Sequence, residues 1–232
     1  MIRFDGAVLR NGGFSLRADL TVLGPGICAI VGPSGAGKST LLLALAGFAS
    51  IGAGRLMIGE QDVTALPPAQ RPVSVLFQDH NLFAHLDVAA NVSLGLRPDL
   101  RLNAAQKSRV QQVLQHTGLQ GLSARKPAML SGGQQQRVAI ARALLRDRPV
   151  LLLDEAFGAL GPGLRREMLT LVRTVAVEQN LTVLMVTHEP EDARAIADHV
   201  LFVAQGQVHP PLPTAEFFAA PPRAVADYLG LD

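Results

Sequence analysis

The sequence offers no second cysteine to pair with Cys28, so an internal disulfide is excluded and the fold must rest on its apolar core. A reducing compartment fits that composition. Cys28 itself stands in the apolar run ICAIV, where a buried strand position accounts for it. An apolar N-terminal stretch is missing too: MIRFDGAVLR carries Arg3, Asp5 and Arg10 where an export signal needs hydrophobic residues. The apolar run LLLALAGFA, 41 to 49, falls far short of the roughly 20 residues that cross a bilayer, so any membrane association is expected to be peripheral. Charge of one sign is not in excess either. Lys and Arg number 21 against 19 Asp and Glu, and no dense basic stripe appears, which argues against a nucleic-acid partner. Repeats, low-complexity tracts and long linkers are absent, and with them the case for two independent domains.

What is present is 48% hydrophobic residues, enough to fill the core of a single domain over 1–232. Short apolar runs read as strands at ICAIV (27 to 31), VSVLF (73 to 77), VLLLD (150 to 154), TVLMVT (182 to 187) and VLFVA (200 to 204). Such runs, separated by helical stretches, predict an α/β fold with a mainly parallel sheet covered by helices. The first part, 1 to 31, is rich in strand signal. Between Gln78 and about Gln135 that signal gives way to helix, which predicts an inserted α-helical subdomain over about 79–135 within a core of 1–78 and 136–232. There Asn103 is placed to cap a helix through AAQKSRVQQVLQHT, whose Val110, Val113 and Leu114 share one face. After 206, the prolines of HPPLP precede two short helical patterns able to pack back on the core.

The strongest signal is GPSGAGKST, comprising Gly32, Pro33, Ser34, Gly35, Ala36, Gly37, Lys38, Ser39 and Thr40. It matches G-x-x-x-x-G-K-[ST] and lies between a strand and a helix, the context of a phosphate-binding loop. By composition alone such a match arises in on the order of one chain in a hundred, and the context lowers that further. Glycines let backbone N–H groups approach a phosphate chain, the helix start adds positive potential, Lys38 neutralises phosphate charge and Ser39 can ligate Mg²⁺. The run LLLDE supplies the second half of that site. An apolar strand that ends in an acid brings Asp154 to the carboxyl edge of the sheet, where it can hold Mg²⁺ through water, while Glu155 is free to polarise an attacking water. A third element, LSGGQQQR, begins a helical pattern with Ser131 as cap and Gly132, Gly133 and Gln134 following. One loop already serves one nucleotide, so a second phosphate-binding helix start is expected to complete the site of another subunit.

In order along the chain, GPSGAGKST, Gln78 after a strand, LSGGQQQR, LLLDE and His188 after TVLMVT resemble the ATP-binding cassette family of transporter ATPases. The resemblance implies a P-loop NTPase (RecA-like) core with an N-terminal antiparallel β subdomain, and ATP and Mg²⁺ as cofactors. It further implies that Glu155, His188 and Gln78 act in hydrolysis, and that Ser39, Gln78 and Asp154 serve the metal. Ser131, Gly132, Gly133 and Gln134 of one copy are then expected to contact ATP bound to the other in a head-to-tail homodimer. A compact segment between Lys38 and Ser131, one cassette and no fused membrane spans point to a free-standing importer subunit on the cytoplasmic face of the bacterial inner membrane. Its partners would be an integral-membrane permease, reached through Leu82, Phe83 and Leu86 after Gln78, and, indirectly, an extracytoplasmic solute-binding protein. A simple core role for those apolar residues is the alternative.

The stretches LPPAQRPVSVLFQDHNLFAHLDVAANVSLGL, LNAAQ, REMLTLV and LMVTHEPEDARAIAD narrow the likeness to the ATP-binding subunits of bacterial thiamine importers, within a wider group serving iron, spermidine and similar solutes. Three positions depart from the family pattern: Ala156 stands for Pro, Gly158 for Ser and Gly161 for Asp. The last replacement removes an acid that usually joins the two ATP sites, so weaker coupling between them is expected. Ahead of the P-loop, Phe14 is the only aromatic in VLRNGGF available to stack on adenine.

Overall fold

Alternating apolar residues make the first two segments a hairpin. β1 (Ile2–Asn11) and β2 (Phe14–Val22) bury Ile2, Phe4, Leu9, Leu16 and Val22. Asn11 faces Phe14 across the antiparallel pair, and Gly12, at φ 58°, makes the turn. The computed structural model describes residues 1–77 and 81–230. After β3 (Gly26–Val31) and α1 (Lys38–Ala46) the chain returns to the hairpin: β4 (Ser50–Ile58) pairs antiparallel with β1, and β5 (Gln61–Asp62) with β4.

The rest of the chain alternates strands and helices. It runs through β6 (Val73–Leu76), then α2 (Val88–Ser93), α3 (Ala104–His116) and α4 (Gly132–Leu145), and on to β7 (Val150–Asp154) and α5 (Pro162–Glu178). Next come β8 (Thr182–Val186), α6 (Pro190–Ile196) and β9 (His199–Ala204). The chain closes with β10 (Gln207–Val208), β11 (Leu212–Pro213), α7 (Thr214–Ala219) and α8 (Arg223–Leu229). Strands β9, β3, β8, β7 and β6 lie side by side, all parallel. The short β10 runs antiparallel to β9 and parallel to β2, so it joins the parallel and antiparallel halves into one curled sheet. The expected strands and the mainly parallel core are therefore found, with the antiparallel part sewn onto it.

Period-2 alternation decides which side each residue faces. Cys28, Ile30, Leu152, Leu184 and Leu201 face α1 and the hairpin, while Ile27, Ala29, Leu151, Leu153 and Met185 face the helices of the other layer. Burial pushes the Cys28 thiol up to about 12, with Asp198 adding to the effect, as suits an inert core residue. Helix α1, KSTLLLALA, is apolar almost all round because it is enclosed by both parts of the sheet. A buried cation closes its far end: Arg71 donates from Nε to the Leu66 carbonyl at 2.9 Å and from Nη1 to the Ala44 carbonyl at 3.0 Å. Carbonyls left over at a helix C-terminus are good partners for a guanidinium, which explains a buried arginine that pairs with no acid among the described residues.

A third apolar cluster gathers α2, α3 and α4 through Val88, Val92, Val110, Leu114, Val138 and Ala141. Asn103 caps α3 in a reciprocal box with Gln106, and Val110 and Leu114 are buried with Val113 packed beside them. Helix α4 is shared. Its Val138, Ala141 and Leu145 enter this cluster, whereas Ala139, Ile140, Ala143 and Leu144 enter the sheet core.

Candidate functional site

Three strand ends converge at the carboxyl edge of the parallel sheet, the edge where open α/β sheets bind ligands. From β3 comes the loop Gly32–Gly37. Gly32 adopts φ 149°, and a Cβ there would lie 2.1 Å from the Val203 carbonyl oxygen, so only glycine fits against β9. Gly37, at φ 106°, begins α1 in a left-handed conformation, and a Cβ there would lie 2.7 Å from the Phe14 ring. No side chain caps this helix and no acid lies in its first turn, so the positive end of the helix is left for an external anion.

Lys38 folds back over the loop, donating to the Gly32 carbonyl at 2.8 Å and the Pro33 carbonyl at 2.9 Å. Burial lowers its pKa, while Glu155 and Asp154 push the other way. Ser39 Oγ donates to Asp154 Oδ1 at 3.1 Å. For Asp154 burial also dominates and raises the pKa, opposed by that hydrogen bond. Hydroxyl and carboxylate thus present two oxygens together, the donor type a hard divalent cation takes. Among the described residues no group of three or more His, Cys, Asp and Glu side chains could hold a metal. The oxygens of Ser39 and Asp154 are the donor type that Mg²⁺ takes, and such an ion commonly keeps phosphate and water among its ligands.

Glu155 leaves the strand with φ 50°, unusual for a residue with a long side chain, and its N–H donates to the Val186 carbonyl at 3.2 Å. This turn sends its carboxylate away from Asp154 and toward the end of β8. There His188 Nε2 lies 2.6 Å from Glu155 Oε1. Phe14, Ser34, Gly35, Gly37, Lys38, Ser39, Thr40, Glu155 and His188 line one open cleft of about 290 Å³. The structure thus brings the phosphate-loop motif, the acid after the strand and the histidine to one place, and adds Phe14 at its rim.

The LSGGQ segment is not in that cleft. Ser131 caps α4 in a closed reciprocal box: Gln134 N donates to Ser131 Oγ at 3.4 Å, and Ser131 N donates to Gln134 Oε1 at 3.0 Å. Gly132 is exposed, while Gly133 sits against Leu164 of α5, whose side chain a Cβ would meet at 2.6 Å. Gln78 lies outside the described residues. A larger cavity of about 590 Å³ opens at the opposite edge of the sheet, near Pro149 and Leu181, and contains none of the motif residues. It collects the C-terminal ends of α3, α4 and α5, and on its wall Arg109 pairs with Asp147 at 3.2 Å.

The family model described as ABC transporter matches residues 17–158. A thiamine import ATP-binding protein, ThiQ, of Cereibacter sphaeroides is 52% identical over 230 residues, covering 99% of this chain and 100% of that protein. The ThiQ proteins of Ruegeria sp. and Brucella suis are 48% and 50% identical over 230 residues, covering 99% of this chain and 100% and 95% of theirs. Among solved structures, MJ1267, an ATP-binding cassette of an ABC transporter, superposes with a TM-score of 0.86 over 99% of this chain and 98% of that one. At 23% identity that likeness speaks for the fold alone.

Proposed function

The chain belongs to the ABC transporter family, and from that premise we propose that it is the ATP-hydrolysing subunit of a bacterial importer that takes up thiamine or its phosphate esters. The observation that carries the hydrolytic reading is the single cleft that holds the phosphate loop together with the Glu155–His188 pair. Backbone N–H groups of Gly35, Gly37, Lys38, Ser39 and Thr40 grip the phosphates, and the Lys38 ammonium neutralises them once it exchanges the Gly32 and Pro33 carbonyls for phosphate oxygen. Phe14, a third exposed at the rim, stacks on the base. Ser39 and Asp154 hold Mg²⁺, which when bound shields charge on the phosphates.

Glu155 accepts the proton of the attacking water, and His188 holds that carboxylate in line and bonds the terminal phosphate. Gln78 senses the metal and the water. The helical lobe that carries α2 and α3 presents Ser131, Gly132, Gly133 and Gln134 to ATP held by a second copy, so that two nucleotides lie between the subunits of a homodimer. Among the described residues no helix is long and apolar enough to cross a membrane, which agrees with a subunit that sits on the cytoplasmic face beneath a permease.

A groove of about 300 Å³ between β6 and α4, lined by Phe77, Phe83, Leu94, Arg142 and Arg146, supports the permease contact after Gln78. Phe83 is 48% exposed, whereas Leu82 packs into the cores on either side and takes the structural role instead. The test is uptake of labelled thiamine by cells with and without this chain, paired with ATP turnover of the purified chain. Uptake that survives loss of the chain, with ATP turnover intact, would move the assignment to another solute such as iron or a polyamine. Steady turnover lost in Glu155→Gln excludes a scaffold cassette that only binds ATP. Salt-sensitive DNA binding would favour an ATP-driven switch acting on nucleic acid.

A further inference from the structure

His188 is half exposed, so packing alone does not hold its ring against Glu155. A cavity of about 30 Å³, lined in part by Glu155, Phe157, Gly158, Thr187 and His188, lies beside the pair and leaves the ring room to shift. What brackets the histidine instead is a polar network on its two neighbours. Thr187 Oγ1 donates to Asp192 Oδ2 at 2.8 Å and accepts from Glu189 N at 3.1 Å, tying both flanks of residue 188 together. Asp192 is buried, with 6% of its surface exposed. Arg165 Nε lies 3.3 Å from the same Asp192 Oδ2, an ion pair without a well-aligned hydrogen bond, and Arg165 Nη1 lies 3.6 Å from Glu189 Oε1.

Arg165 therefore reaches both sides of His188, by the Asp192–Thr187 arm and by Glu189. It also stands in the first turn of α5, where its N–H donates to the Gly161 carbonyl at 2.9 Å. Building on the hydrolytic reading above, we propose that Arg165, Asp192 and Thr187 are positioning residues that hold His188 in register with Glu155. They connect the loop ending at Gly161 to the histidine through side chains rather than through the strand. Since Gly161 has no side chain with which to reach across to a second copy, this network is a route within one chain by which that loop acts on the site.

Thr187→Val removes the hydroxyl at nearly constant volume, and Thr187→Ser restores it. With the purified full chain, Thr187→Val and Arg165→Ala are expected to lower kcat roughly 10- to 100-fold, with KM for ATP changed by less than about twofold. Thr187→Ser should return kcat to near the parent value. Independently of turnover, relaxation dispersion on the His188 ring, assigned with His188→Gln, should show microsecond-to-millisecond exchange in Thr187→Val and Arg165→Ala but not in the parent or Thr187→Ser. Unchanged ring dynamics in Thr187→Val would overturn the proposal, as would full kcat in that variant. Should Arg165→Ala fail to fold, the valine and serine variants decide. A parent chain that turns over no ATP would sink the hydrolytic reading, while the ring measurement would still judge the network.

Discussion

Two helix starts in this molecule combine glycine with a serine hydroxyl, Gly37 with Ser39 and Ser131 with Gly132, yet they are opposite in state. At the start of α1 the backbone itself is shaped for an anion: Gly37 is left-handed, no side chain caps the turn, and Lys38 lies across the loop. At the start of α4 the chain satisfies itself, since Ser131 and Gln134 exchange hydrogen bonds. A cap of this kind contributes about 0.5–2 kcal/mol, and the 3.4 Å arm from Gln134 N is its weaker bond. The first start can engage phosphate within one chain. The second has its hydroxyl and its N3 N–H already engaged with each other, and under the proposed function it meets only a nucleotide held by a second copy.

The sharpest way to break the comparison is at the first start. Lys38→Ala should abolish ATP binding by the isolated chain, read by titration with a fluorescent ATP analogue. Beside it, Glu155→Gln should leave binding intact and lower turnover about 10²–10⁴-fold, the usual contribution of a general base. Next comes the second start. Ser131→Arg should leave binding by the isolated chain unchanged while lowering turnover roughly 10²–10³-fold, as expected when anion-stabilising donors are lost. Loss of binding in that variant would mean that both helix starts serve the same chain.

A smaller effect should appear at Gly161, the N-cap of α5. It has no side-chain cap, and a Cβ there would meet nothing within 4 Å. Gly161→Asp should add a few tenths of a kcal/mol by capping the helix and raise the cooperativity of turnover in ATP. Unchanged cooperativity would count against weak coupling between the sites.

Smallest is a pH effect at Asp192, whose carboxyl burial pushes above the ordinary range, against the Thr187 hydrogen bond and Arg165. Because the folded pKa is the higher one, the proton favours the fold. The stabilisation is full below the unfolded value of about 3.9 and is lost as pH rises through the folded one. Stability curves of the parent and Asp192→Asn measured from pH 4 to 7 should therefore differ in slope, the parent losing more as pH rises. Parallel curves would show that Asp192 titrates as an exposed carboxyl does.

Much of this was legible in the sequence, for physical reasons. The strands VLLLD and TVLMV are apolar on both faces, so their period and length mark them, and their ends fix which edge carries Asp154 and His188. Asn103 and Ser131 were legible because both capping boxes are local, their partners lying three positions apart. The strand β4 was not, since SIGAGRLMI contains two glycines and its first six residues are exposed or half-buried. Its pairing with β1 is a long-range fact that no short window contains. Arg71 escaped for the same reason, its Nη1 partner being a carbonyl of α1 far back in the chain. Thr187 and Asp192 are five residues apart and thus within reach of inspection, but their link to Arg165 depends on how α5 lies against α6.

The left-handed backbone of Glu155 has a consequence for engineering. Aim here is set by the main chain rather than by a rotamer, so tolerance at this position divides by backbone and not by charge. Gly, Asn and Asp can keep the turn while losing or shortening the acid, whereas Val or Ile would force the residue back toward extended geometry and drag the strand end with it. A library at position 155 should therefore contain two kinds of dead protein: well-folded chains that cannot take a proton, and chains whose sheet edge has come undone.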